Sequence, residues 1–259
     1  ELKAGVDYWG GRVMKTYPSS CIQRMATSFM NAELCMHAPF YNELNKALNL
    51  DNIEFYTSYA KDPVLKERMD FIDSIVDSED NALSAAAFSL VEGAILYSSF
   101  AFLKHFRAGG KNKLKNLVSG INASVRDENL HCIGGALLFN LELEESGKTI
   151  ANYKDQITSV AMKLCEHEKL IAAKLFEKGP IEGITLKQIE NFVESRVNTC
   201  MENLGYKKIY KVTYNPIADW FYDNINALKL HDFFNVSGSD YKRNWSEQSF
   251  MYWGGVEVE

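Results

Sequence analysis

Proline is scarce in this chain, with five residues in 259, at positions 18, 39, 63, 180 and 216. Few breakers leave room for long helices. Strand signals are equally thin, and residues 208–213 alternate only briefly. Cysteine occurs five times, at 21, 35, 132, 165 and 200, an odd number scattered through helical patterns. That excludes a disulfide framework and zinc-type cysteine pairs, and it reads as reduced thiols in a cytoplasmic protein. Positive charge is not in excess: 28 Lys and Arg stand against 34 Asp and Glu, a net charge of −6, so no basic face is offered to nucleic acid. No uninterrupted apolar run reaches the roughly eighteen residues that a membrane span needs. The nearest, residues 82–103, is broken by Glu92 and several serines. No secretory signal pattern opens the chain, and there is no low-complexity tract or repeat at solenoid period.

What the chain does have is helical periodicity and enough apolar material, 46%, for a substantial core, so one domain over 1–259 is expected. The spacing predicts helices over 1–14, 20–48, 63–78, 81–107, 111–146, 152–178, 186–203 and 216–228. Pro39 falls inside the second of these, where it should kink the helix or leave a carbonyl free. The fold class is all-α.

Chemistry enters with Arg126-Asp127-Glu128-Asn129-Leu130-His131. Glu128 and His131 stand three residues apart, so both share one helix face. A single such pair is common on solvated surfaces. Three further segments supply matching pieces: Asp7 ahead of Gly10-Gly11-Arg12, Glu33 with His37, and Glu92 in the apolar run from Phe88 to Phe102. A bundle that draws one carboxylate from each of two helices and a Glu/His pair from each of the others holds two metal ions between four core helices, the ferritin-like architecture. Carboxylate and imidazole suit iron or manganese. Carboxylates in a bundle core are costly unless metal or protons neutralise them. Taken alone, Glu92 is as readily a partner of Arg126 or a group facing a hydrated groove. Tyr41 follows His37 by four residues on the same face, placed for one-electron oxidation inside an apolar sheath that Phe40, Leu96 and Phe100 can supply.

In order and spacing these residues resemble the small, radical-generating subunit of class I ribonucleotide reductase over nearly the whole chain. Asp7-Tyr-Trp-Gly-Gly-Arg12 is similar to the family's first-ligand segment, and His37-Ala-Pro-Phe-Tyr41 to its His-x-x-x-Tyr. Arg126-Asp-Glu-Asn-Leu-His131 is close to Arg-Asp-Glu-x-Leu-His, and Tyr214-Asn-Pro-Ile-Ala-Asp-Trp220 to the Asn-Pro-Ile segment late in the folded body. The resemblance implies a dinuclear Fe/Fe, Mn/Mn or Mn/Fe centre held by Asp7, Glu33, His37, Glu92, Glu128 and His131. It implies oxidation of Tyr41 and transfer of the oxidising equivalent to a large catalytic subunit that makes deoxyribonucleotides. Asp127 would hydrogen-bond a ligand histidine and belong to the transfer path. A homodimer is implied, with no nucleic-acid or membrane partner. An N-terminal tryptophan segment upstream of Glu1 and a flexible C-terminal tail beyond Glu259 are implied as well, with Tyr252 and Trp253 at the folded edge.

One position departs from the pattern. The family's first Glu-x-x-His would put glutamate at 34, where this chain has Leu34, and the nearby carboxylate is Glu33. A π-bulge would rotate Glu33 inward to replace it. Without that rotation a ligand is lost, and the site becomes one of altered nuclearity or no metal. Metal-free relatives gain a lysine at the site, and none stands at these positions, so retained metal is expected. Two other readings remain from the residues: a ferritin-like oxidase or monooxygenase with a small apolar ligand, and a degenerate bundle serving as a scaffold.

Overall fold

A computed structural model describes residues 2–222 and 225, most of them helical. Among the described residues there is no strand, only an isolated bridge between Ile181 and Ile184. We number the principal helices α1 (2–16), α2 (20–47), α3 (Pro63–Val76), α4 (Asn81–Ala94), α5 (Tyr97–His105), α6 (Lys115–Ser146), α7 (Lys154–Leu175), α8 (Leu186–Asn203) and α9 (Pro216–Phe221). A short helix, Ile53–Thr57, and a 3-10 turn, Ser58–Lys61, link α2 to α3. The expected continuation of α9 to 228, and Tyr252 and Trp253, lie outside the described residues.

Local chemistry sets the helix ends. Asp62 accepts from Val64 N and Leu65 N at 3.0 and 3.2 Å, with Pro63 at the first helical position of α3. Asp80 caps α4 through Leu83 N, and Thr185 with Gln188 forms a capping box at α8. Asn215 caps α9, accepting from Ala218 N, with Pro216 behind it, which gives the Asn-Pro-Ile motif a local structural reason. At the C-terminus of α6, Gly147 takes φ 65°, a left-handed conformation glycine adopts freely.

The central element is α4, buried at nearly every position and packed against α3, α6, α7 and α8. Small residues allow it to lie close to α6: a Cβ on Gly135 would meet the Ser89 Cβ at 2.9 Å. A buried ion pair fastens the periphery, with Arg68 Nη2 of α3 2.7 Å from Glu168 Oε1 of α7. The other oxygen of Glu168 accepts from Ser98 N at the start of α5.

The expected helix 81–107 is two helices. Ile95 is extended and Leu96 sits at φ 73°, so the chain breaks beside Glu92 before α5 begins. By length and composition residues 81–105 could cross a membrane, but 78% of their apolar 18-residue stretch is buried inside the bundle. Its apolarity belongs to the core.

Among the described residues, two helices carry π-helical turns, Asp7–Val13 in α1 and Ala32–His37 in α2. In α2 the Ala38 N–H reaches back to the Glu33 carbonyl, five residues earlier. Pro39 follows at once, and its missing N–H removes the donor that would serve the Cys35 carbonyl. The wide turn and the proline are one local solution.

Candidate metal centre

Position 33 shows the effect of that wide turn. Glu33 is 3% exposed and faces the bundle interior, whereas Leu34 is 53% exposed. Glu33 meets four side chains from α2, α4 and α6: His37, Glu92, Glu128 and His131. His37 Nδ1 lies 3.4 Å from Glu33 Oε1 and 3.3 Å from Glu128 Oε1. His131 Nδ1 lies 3.1 Å from Glu128 Oε2, 3.5 Å from Glu33 Oε1 and 3.7 Å from Glu92 Oε2. Ligand atoms of Glu33, Glu92, Glu128 and His131 all fall within 4.8 Å of one another. A cavity of about 30 Å³, lined by Gly5, Glu33, Phe88, Glu92, Leu96 and Glu128 among others, adjoins them.

Electrostatics mark the cluster as short of positive charge. Burial pushes the Glu33 carboxyl up. Burial, and then the neighbouring Glu128 charge, lift Glu92 to about 7. Burial alone would lower both imidazoles, but the carboxylates around them prevail. His37 is held up to about 12 by Asp127, Glu128 and Glu33, and His131 to about 10 by Glu128 and Glu92. Glu33 Oε1 and His37 Nδ1 are nevertheless buried without a hydrogen bond. A cation is the group that meets all of these conditions at once: oxygen and imidazole donors, net negative charge, and lone pairs left over.

Two further side chains expected from the sequence lie next to the cluster. Asp127 Oδ2 is 3.1 Å from His37 Nε2, and the Tyr41 hydroxyl is 3.3 Å from Ser124 Oγ. Burial raises the Tyr41 phenol to about 12, so it stays protonated. Phe40 stands edge-on to it at 5.1 Å. Glu92 takes a hydrogen bond from Trp9, not from Arg126, which is exposed.

Asp7 is the correction. Its side chain is 47% exposed and pairs with Lys3, one turn back on α1. The residue of α1 that faces Glu33 is Gly5, where a Cβ would come within 3.0 Å of Glu33 Cγ. Two residues farther along, roughly 200° around a helix, Asp7 lies on the far side. Asp-x-x-x-Gly-Arg therefore does different work here. Arg12 binds the Val76 carbonyl at 2.6 Å and Asn81 Oδ1 at 2.8 Å, tying α1 to the α3–α4 turn.

What α1 brings to the cluster is Trp9, fully buried, whose Nε1 donates to Glu92 Oε1 at 2.8 Å. Sequence reasoning missed it. The only signal was a tryptophan inside the first-ligand segment, and nothing in the spacing separates an indole facing the site from one in the core. The consequence is chemical: α1 supplies a donor where a fourth carboxylate was expected.

A helical bundle of this kind, with carboxylates and imidazoles gathered between its core helices, belongs to the ferritin-like class. A family model described as ribonucleotide reductase, small chain, matches residues 7–216. The chain belongs to that family. Over 242 residues it is 25% identical to a ribonucleoside-diphosphate reductase small subunit of Invertebrate iridescent virus 3, covering 85% of this chain and 63% of the relative. Over 219 residues it is 27% identical to the ribonucleoside-diphosphate reductase small chain of Vaccinia virus (strain Copenhagen), covering 80% and 63%. The chain thus spans a little under two thirds of the length of these relatives. In fold it is similar to a class I ribonucleotide reductase structure from Bacillus halodurans, with a TM-score of 0.71 at 24% identity, covering 83% of this chain and 79% of that one. The Rnr4 homodimer of Saccharomyces cerevisiae gives a TM-score of 0.54 at 20% identity, covering 75% and 57%.

Proposed function

We propose that this chain acts as the metal-carrying small subunit of a ribonucleoside-diphosphate reductase and partners a large catalytic subunit. The observation that carries the reading is the convergence of Glu33, Glu92 and Glu128 with His37 and His131, buried, with two of their atoms lacking a hydrogen bond. These five residues would hold the metal, and iron or manganese bound there supplies one-electron redox chemistry with oxygen. Asp127 fixes the orientation of the His37 ring through Nε2 and leaves Nδ1 turned to the carboxylates. Tyr41 is the residue oxidised. It would give up one electron to the metal centre and the phenolic proton that it donates to Ser124 Oγ. From there the oxidising equivalent leaves for the large subunit, with His37 and Asp127 on the route.

The test combines metal analysis with electron paramagnetic resonance after anaerobic loading and exposure to oxygen. The expected result is bound Fe or Mn and a tyrosyl signal that Tyr41→Phe abolishes. A signal that persists in Tyr41→Phe would remove Tyr41 from this role, and a folded protein that takes up neither metal would end the reading.

One observation favours a second reading within the same family. With Asp7 turned outward and Trp9 donating to Glu92, three carboxylates stand where a dinuclear centre of this class uses four. On that reading the site has altered nuclearity and takes one ion. Titration separates the two: one tight equivalent per chain supports it, and two equal equivalents refute it.

The homodimer is proposed on the outer face of α6, where Leu130, Ile133 and Leu137 form an exposed apolar stripe at helical spacing. Leu34 and Met36 of α2 are exposed as well.

A further inference from the structure

Behind the cluster lies a second buried group that the proposed reaction does not use. Cys132 follows His131 on α6, and Cys200 belongs to α8. Their Sγ atoms are 3.8 Å apart, and both residues are fully shielded from solvent. The pair fits because residue 93 is glycine. A Cβ there would lie 2.3 Å from Cys200 Sγ and 2.6 Å from Cys132 Sγ. The surroundings are polar on one side only. Asn203 Nδ2 donates toward Cys132 Sγ at 3.6 Å, and Ser89 Oγ is 3.5 Å from the same sulfur. Arg196, also buried, sends Nε and Nη2 to the Gly93 carbonyl at 3.1 and 2.9 Å, which adds positive charge nearby. The two sulfurs thus lie in contact across Gly93, on two helices that hold them side by side.

We propose that Cys132 and Cys200 form a redox-active dithiol that hydrogen peroxide closes into an intramolecular disulfide. The sulfur of Cys132 attacks one peroxide oxygen and the O–O bond breaks. The hydroxide that leaves takes up the thiol proton as water, and Cys132 becomes a sulfenic acid. Cys200 sulfur then attacks the sulfenic sulfur, the S–S bond forms, and the hydroxyl departs with the Cys200 proton as a second water. The two thiols lose two electrons and two protons, and the peroxide is reduced to two waters.

Closing from 3.8 Å to a bond of about 2.05 Å draws α6 and α8 together. Cys132 adjoins His131 and the space left at Gly93 adjoins Glu92, so the disulfide shifts both residues of the cluster. The dithiol stands on side chains of α4, α6 and α8 and is independent of the reductase reading; only its effect on metal affinity rests on that reading.

The experiment uses the full chain with Cys21 and Cys35, the two exposed thiols, replaced by serine, leaving Cys132, Cys165 and Cys200. After treatment with peroxide, denaturation and alkylation, the expected outcome is one titratable thiol per chain and a Cys132–Cys200 linked peptide that dithiothreitol separates. In the added variant Cys200→Ser, oxidation stops at a sulfenic acid on Cys132 that dimedone captures. Recovery of all three thiols alkylated, or oxygen added at Cys165 with the pair untouched, overturns the proposal. If Cys200→Ser does not fold, peptide mapping of the parent protein decides alone. Metal affinity supplies the coupled readout: the oxidised chain binds Mn(II) at least several-fold more weakly, and reduction restores it.

Discussion

Glu33 reaches the cluster because of the turn it occupies, and adjacent positions on that turn are not interchangeable. Glu33→Ala should cost the chain most of its bound metal. Adding Leu34→Glu to that variant should not restore it, because side chain 34 points to solvent. Metal per chain by inductively coupled plasma analysis checks both outcomes, and full rescue by Leu34→Glu would show that the turn rearranges freely. Trp9→Phe keeps the ring packing against Phe29 and Phe88 but deletes the donor to Glu92 Oε1. Loss of a hydrogen bond to a buried carboxylate should lower stability by about 1.5–3 kcal/mol. Denaturant unfolding of the metal-free protein measures it.

At the scale of elements, α3, α5 and α7 are joined by one charged residue. Glu168 is fully buried, 2.7 Å from Arg68 Nη2, and caps the first turn of α5 through Ser98 N. Replacing Glu168 by alanine removes the carboxylate that lies 2.7 Å from the buried Arg68 guanidinium and the acceptor of Ser98 N. Breaking such a pair from one side typically costs about 3–5 kcal/mol. Glu168→Ala should therefore be among the strongly destabilising substitutions in urea unfolding, whereas a change below about 1 kcal/mol would show that this pair does not hold the three helices together. The break at Ile95–Leu96 belongs to the same scale. It ends α4 one turn after Glu92 and gives the small cavity beside Glu33 its wall.

For the whole molecule, the cluster makes stability depend on pH in a definable direction. Glu92 is raised to about 7 and His131 and His37 to about 10 and 12, so the folded chain holds protons that the unfolded chain releases earlier. The stabilisation from the carboxylate is lost as pH rises from its unfolded value toward about 7. That from the imidazoles is complete below their unfolded value and lost as pH climbs through the folded ones. Both act in the same sense. The metal-free protein should lose melting temperature between about pH 5 and pH 10, and Glu92→Gln should flatten the lower part of that slope. Thermal scans across this range check the sign, and a rise in melting temperature would contradict it. For assembly, Ile133→Glu on the exposed stripe of α6 should convert dimer to monomer in sedimentation velocity without loss of helicity.

Helix positions, the all-α class and the Glu/His segments were legible in the sequence because they follow from local spacing, capping residues and apolar periodicity. Glu128 and His131 could be read as one face of one helix, and Pro39 as a break in the regular bonding of α2. The direction in which a particular side chain points depends on longer-range packing. Asp7 satisfied a motif in one dimension, yet Gly5 and Trp9 are the α1 residues that meet the cluster, because packing of α1 against α2 sets the rotation of the helix. Leu96 broke an apolar run whose periodicity promised one continuous helix, and the Cys132–Cys200 pair joins residues sixty-eight positions apart. Local sequence specified which groups were available and on which helix; only the packed bundle decided which of them meet, since rotation and close approach are set by contacts between segments far apart in the chain.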